Sequence, residues 1–202
     1  MQTPAFVRKS WKFVGAFAVI AAVLYLAPHD PNDPNKAPGP APVVPAVQTQ
    51  LEGLWSDGAQ QYAAGANEII KSRTFNGVSV ETNTLLGAGD HNKMRRWYAT
   101  ITDITTSHGG DTASATFRGP GGAVYRMESS VYSDTPIYKS LAGMTVGQHV
   151  YLSGILLMDG EQTEGGVQKW ERSATEAGAF DRPEFVVILD SIESAPDPVD
   201  AQ

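Results

Sequence analysis

The sequence predicts a mainly β fold, a five-stranded barrel with a helix in front of it. Three observations carry that expectation. Between residues 97 and 192, five segments alternate apolar with small or polar residues at the two-residue period of a half-buried strand. Gly119-Pro120-Gly121-Gly122 puts glycines where a tight reversal between the second and third segments needs them. Pro136 to Ala142 reads as one or two helical turns between the third and the fourth. Strand, strand, strand, short helix, strand, strand is the order of an OB-type barrel.

Residues 1–12 carry Arg8, Lys9 and Lys12 without an acid, and Phe13 to Ala27 is an unbroken run of 15 apolar or glycine residues. At 1.5 Å per residue the run spans roughly 22 Å, short of the roughly 30 Å hydrocarbon core. Trp11 and Tyr25 suit the interfaces and Lys12 can snorkel, which extends the segment to about 17 residues, the lower bound for a spanning helix. The run ends Tyr25-Leu26-Ala27 before Pro28, with no small-x-small cleavage site. The expectation is therefore an uncleaved transmembrane anchor at residues 13–27, with a cleaved signal peptide as the alternative. Residues 1–12 then form a cytoplasmic basic segment, and everything after residue 28 lies in the periplasm or outside. Residues 28–47 read as a Pro-rich linker, because seven prolines between Pro28 and Pro45 exclude a regular hydrogen-bonded element. Fully extended at about 3.1 Å per residue, it would carry the domain up to roughly 55 Å from the membrane.

The folded domain is placed at residues 48–195, followed by a disordered tail at 196–202. From Gln48 to Ser72 the pattern is helical, with Tyr62, Ala66, Ile69 and Ile70 on one face expected to pack on the barrel. Gly53, Gly58 and Gly65 weaken the helix, and Asp57-Gly58 is a candidate break. Val78 to Glu81 reads as a short strand, either before the barrel or opening an interrupted first strand. The barrel strands follow at Trp97 to Ile101, Thr112 to Phe117, Val124 to Glu128, His149 to Leu157 and Phe185 to Ile192. Their alternation puts Ile101, Phe117, Val150, Leu152 and Val187 in the core.

Tyr62-Ala63-Ala64-Gly65-Ala66-Asn67-Glu68 through Phe75-Asn76-Gly77, together with Leu141-Ala142-Gly143-Met144-Thr145-Val146-Gly147-Gln148-His149, carries a likeness. This pattern resembles the bacterial OB proteins described as tRNA-anticodon-binding-like, over most of residues 60–192. The chain departs from that pattern in lacking a Lys after Gly77 and in inserting Thr82 to Lys93 before Trp97. The resemblance implies an OB fold and, through the family's description, nucleic-acid binding, although a fold likeness does not by itself carry a function.

Charge points the other way. From residue 48 onward eleven Lys and Arg stand against twenty Asp and Glu, a net of −9, and such a surface repels phosphate. The chain has no cysteine, which removes disulfides, thiolate zinc sites and thiol catalysis. His29, His91, His108 and His149 form no metal-ligand spacing and read as solvated or locally hydrogen-bonded. No G-x-S-x-G or triad spacing occurs, so no catalytic residue, cofactor or metal is assigned and the protein is read as a non-enzyme. Gly119-Pro120-Gly121-Gly122 lacks the Lys-Ser/Thr and helix start of a phosphate loop and reads as a hairpin turn. Asp159, Glu161, Glu164, Glu171 and Glu176 make an acidic, solvated loop, the other reading being weak divalent-ion binding.

The surface an OB barrel offers is the face of its second and third strands with the loops beside it. Here that face is Thr112, Ser114, Thr116, Arg118 and Arg126 with Glu128, flanked by Ser107 to Gly110 and Met158 to Arg182. Phe117 and Tyr125 fall on the apolar side, which leaves no stacking platform for bases. Lys93, Arg95 and Arg96 cluster before the first strand and could join Arg118 and Arg126 in one basic patch. Trp170 is the candidate exposed anchor for a partner. The functional expectation is a membrane-anchored, extracytoplasmic OB-fold binding or assembly module with a protein partner in the envelope; the alternative is a nucleic-acid-binding barrel.

Overall fold

A computed structural model describes residues 41–157, 162–163, 166–167 and 175–198. The anchor at 13–27, the first part of the linker, the last residues of the tail and Trp170 lie outside the described residues.

Helix α1 spans Ala46–Ala64 directly after Pro45 and ends at Gly65, and α2 spans Glu68–Gly87. The break falls at Gly65 to Asn67, not at Asp57-Gly58. Asn67 caps α2 by accepting from the Ile70 amide at 3.1 Å, and Glu68 lies in the first turn, where a negative charge suits the helix dipole. The Val78 to Glu81 strand is not formed; those residues sit inside α2. Their β-branched composition suggests a strand, but Val78, Thr82 and Leu86 recur at the four-residue step of a helix face and are buried. Val78 and Leu86 join the core cluster that contains Trp55, whose indole donates to the Thr82 hydroxyl at 3.1 Å.

The two helices form an antiparallel hairpin that docks through a face one turn earlier than the pattern implied. Gln48, Leu51, Glu52, Trp55 and Gly58 are the buried residues of α1, whereas Ile69 and Ile70 are 67% and 43% exposed. Because α1 stops at Gly65, the helical phase linking Tyr62 to Ile69 is lost. Trp55, Phe75 and Phe180 join in one cluster, with ring centroids 5.5 to 6.3 Å apart, and Tyr62 lies 4.9 Å from Phe180. A Cβ at Gly58 would come within 2.7 Å of both Val78 and Phe180, while nothing lies within 4 Å of one at Gly53. Gly58→Ala is therefore expected to lower stability by about 1 to 2 kcal/mol, overpacking outweighing the gain in helix propensity. Gly53→Ala should raise it by up to about 1 kcal/mol, and equal denaturation midpoints for the two variants would contradict this packing.

The strands are β1 (Lys93–Ser107), β2 (Thr112–Arg118), β3 (Val124–Met127), β4 (Val131–Tyr132), β5 (His149–Leu156), β6 (Gln162–Thr163), β7 (Gly166–Val167) and β8 (Glu184–Ser194). Antiparallel pairs β1–β2, β2–β3, β5–β8 and β1–β5 and the parallel pair β3–β8 close a five-stranded mixed barrel. β4 adds a two-residue rung on β2, and β6 pairs only with β7. One strand can serve two neighbours because β1 bends. A bulge between Met94 and Trp97, with Arg96 at φ 54°, and another between Ile101 and Asp103 turn it from β5 toward β2. Ile101, Phe117, Val150, Leu152 and Val187 are each at most 1% exposed, as their alternation predicts. Helix α3 (Pro136–Ala142), capped by Thr135, buries Ile137 and Leu141, and α4 (Glu176–Asp181) carries Phe180 into the aromatic cluster.

Candidate functional site

The strand face expected to bind a ligand begins with the hydroxyl row of β2. Thr112 and Thr116 are buried and Ser114 is half-buried, so the row is not an open platform. Cross-strand neighbours on the same face explain this, since Thr116 stands between Asp103 of β1 and Arg126 of β3, and Thr112 between Ser107 and Tyr132. The Thr112 and Ser107 hydroxyls also bond to each other.

Arg126 is engaged within the barrel. Its guanidinium makes a forked contact with Glu184 on β8, Nε to Oε1 at 2.7 Å and Nη2 to Oε2 at 3.2 Å. Hydrogen bonding to Glu184 raises its pKa, against a smaller opposing effect of burial, and the charges of Glu184 and Asp103 add to the rise. Two carboxylates thus attend one arginine. Arg118 is exposed at the end of β2.

Arg118 and Arg126 are diagonal neighbours on β2 and β3, but Lys93, Arg95 and Arg96 do not gather round one point. Lys93 and Arg95 both turn to Asp90, at 2.9 and 3.9 Å, and Lys93 above all draws the Asp90 carboxyl below its ordinary range. Arg96, redirected by the bulge, pairs with Glu193 and lies over the Tyr151 ring, 4.1 Å from its centroid. Glu193 and Glu184 are nine positions apart on β8, roughly 30 Å along an extended strand, so Arg96 and Arg126 are held toward opposite ends of it.

Two polar arrangements escaped the sequence reading. The first is buried where α1 meets the barrel. Before Thr100, β1 does not yet have β2 as a partner, and the Gln48 amide takes its place, accepting from the Tyr98 N–H at 2.9 Å and donating to the Tyr98 carbonyl at 2.6 Å. Gln48 also donates to Glu52 at 3.0 Å, and Glu52 accepts from the Tyr125 hydroxyl at 2.6 Å and from the Gly121 amide. The glycine turn does hold an anion, but it is the chain's own carboxylate. A Cβ at Gly119 or Gly121 would fall on the Glu52 side chain, which accounts for both glycines by space alone. Gln48 and Glu52, four apart on a buried helix face, are the signal that marks this node.

The second is an aromatic patch outside the barrel, where Tyr98 stacks on His149 at 5.4 Å and meets Tyr151 edge-on at 5.9 Å. His149 Nδ1 is 3.0 Å from the Thr100 hydroxyl, and His91 Nδ1 is 2.9 Å from the Leu85 carbonyl. The patch is covered by the ends of the domain: the Val43 amide donates to the Tyr151 hydroxyl at 3.2 Å, and the Tyr98 hydroxyl donates to the Pro196 carbonyl at 3.4 Å. Pro196, placed in the tail by sequence, rests on the barrel. Glu176, assigned to the acidic loop, opens α4 and accepts from Ser72 at 3.0 Å.

Among the described residues no group of three or more His, Asp or Glu could hold a metal ion, and no helix is long and apolar enough to cross a membrane. An open concave surface lies on the helical hairpin, a groove of about 490 Å³ between α1 and α2 lined by Leu54, Asp57, Ile70, Arg73, Gly77 and Glu81 among others, and a smaller one of about 300 Å³ lies beside Asp90, Lys93, Arg95 and Trp97. The class these features define is a closed, mixed five-stranded barrel with helices, consistent with the OB type. The chain matches no family model, no curated protein and no solved structure.

Proposed function

We propose that the protein is a non-enzymatic binding or assembly module, an OB-type barrel carried on a membrane anchor at residues 13–27 with its domain outside the cytoplasm, and that its ligand is another protein. The observation that carries this reading is the outer side of the helical hairpin, where Ile69, Ile70 and Val80 stay exposed beside the groove. Apolar residues left in the open next to a concavity are the usual mark of a protein contact. The engaged arginines support the same choice. Arg126 and Arg96 each face a carboxylate on β8, and Lys93 and Arg95 share one, inside a domain whose net charge is −9.

The full chain is expected to show no micromolar binding to single-stranded or duplex oligonucleotides by fluorescence anisotropy at physiological salt. Tight binding that falls steeply with ionic strength, and that Arg118→Ala with Arg95→Ala weakens, would put the nucleic-acid reading in its place. The anchor is tested separately: the protein should stay with membranes through an alkaline wash, and a mature chain starting near Pro28 would refute it.

A further inference from the structure

Along α2, Arg73, Gly77 and Glu81 follow at steps of four and all three line the groove. They form one stripe of the helix surface, basic at one end, acidic at the other, with a glycine midway. Across the groove, α1 runs antiparallel, as the Trp55 to Thr82 hydrogen bond and the contact of Lys71 with the Tyr62 ring show. Asp57 therefore lies toward the Glu81 end and Gln61 toward the Arg73 end. None of the ion pairs among the described residues uses Arg73, Asp57 or Glu81.

Gly77 has no evident internal reason. A Cβ there would meet nothing within 4 Å, and a glycine inside a helix costs about 1 kcal/mol relative to alanine. Elsewhere in the hairpin Gly58 is explained by Val78 and Phe180, which press against it. A glycine facing open groove is what close approach by an outside backbone requires.

We propose that the groove takes a second copy of this chain, with the two α2 helices crossing antiparallel at Gly77. This rests on reading the hairpin as a protein-contact surface and names the partner. A two-fold axis through Gly77 turns the stripe onto itself, because Arg73 and Glu81 lie equally far from it, roughly 6 Å along the helix. Arg73 then meets Glu81 of the partner subunit, and the pairing occurs twice. Asp57 adds negative charge at the end where the partner's arginine arrives. Ile70, close to the line of the stripe, comes to face Thr84 of the partner subunit, so an exposed apolar side chain is covered in the same step, while Ile69 and Val80 lie together on one flank of the crossing. A partner helix of unrelated sequence would need its own matching order of charge and small residue, whereas a second copy has it by symmetry.

The absence of cysteine from the chain makes the test clean. Gly77→Cys in the full chain, at its native membrane location, should form a disulfide-linked species of twice the chain mass under mild oxidation, since residues on the axis approach their own copies. Gly53→Cys, another open helical glycine but off the stripe, should not. Adding Arg73→Glu to Gly77→Cys should reduce the linked fraction at least about tenfold, and the further change Glu81→Arg should restore it, an outcome that mere unfolding does not produce. Thr84→Cys, an exposed position at the rim of the crossing, labelled with a benzophenone maleimide and with Gly77 intact, separates the two levels of the claim. A photo-adduct of twice the chain mass supports the second copy. An adduct with a different protein, with no self-adduct, overturns the second copy but leaves the protein-contact reading standing. No adduct of either kind overturns both.

Discussion

Glu52→Ala is expected to lower folding stability by about 3 to 5 kcal/mol, because three donors lose their shared acceptor and a buried unsatisfied donor costs about 1 to 3 kcal/mol. The donors are the Gln48 amide, the Tyr125 hydroxyl and the Gly121 N–H, and Glu52 is 4% exposed. Glu52→Gln should fall between wild type and Glu52→Ala. Gln48 cannot flip to accommodate it, since the Tyr98 backbone fixes both ends of its amide, so an N–H of the new side chain would face either the Gln48 N–H or the Gly121 N–H. Denaturant titration measures both; a midpoint for Glu52→Ala within error of wild type would mean that the node contributes nothing. The same node sets an alkaline limit. Burial, then the neighbouring Glu52, pushes the Tyr125 hydroxyl well above the ordinary tyrosine range. The folded chain keeps that proton where the unfolded chain, with a tyrosine pKa near 10, gives it up. Stability from this group is thus fully present below about pH 10 and is lost as the pH climbs toward the folded value, by up to about 1.4 kcal/mol per pH unit. Tyr125→Phe should flatten that decline.

Trp55→Ala should cost a further few kcal/mol of its own, about 3 to 5, the range for removing a fully buried large aromatic. Trp55 is 1% exposed, touches Phe75, Phe180 and Phe185, and holds Thr82. Three separate elements meet on this ring: α2 through Phe75 and Thr82, α4 through Phe180, and β8 through Phe185. Its loss should loosen the hairpin before the barrel, so in a Trp11→Phe, Trp170→Phe background, which leaves Trp97 as the one tryptophan, helix content measured by far-ultraviolet circular dichroism should fall at lower denaturant than the burial of Trp97 reported by fluorescence. Coincident transitions with an unshifted midpoint would show that the hairpin is held by something other than this cluster.

The barrel was legible because its strands obey a strong local rule. Phe117, Val150 and Leu152 alternate with polar or small neighbours, and a period of two is hard to mistake. The hairpin was not, for two physical reasons. Val78, Val80, Thr82 and Thr84 carry the composition of a strand, and the helix that they form instead buries Val78 and Thr82 through partners distant in the chain, Thr82 bonding to Trp55, 27 positions earlier. Ile69 and Ile70 match an apolar face, but whether such a face turns inward depends on where the preceding helix stops. The basic cluster failed as a patch for a related reason. Arg95 and Arg96 are adjacent in the chain, yet the bulge at Arg96 separates them, and no sequence rule announces a positive φ at an arginine.

The tyrosine patch has a topological consequence. Val43 rests on Tyr151 and Pro196 on Tyr98, and the two rings adjoin, so the chain enters and leaves the barrel at one place. A domain whose ends meet can be spliced as a guest into a surface loop of another protein, or re-cut at a new starting point with its old ends joined by a short bridge, while its interior stays as it is. The cut that such a permutation needs is on hand at the Asp134 to Pro136 turn ahead of α3, whereas cutting at Gly119 to Gly122 would release the carboxylate that pins α1.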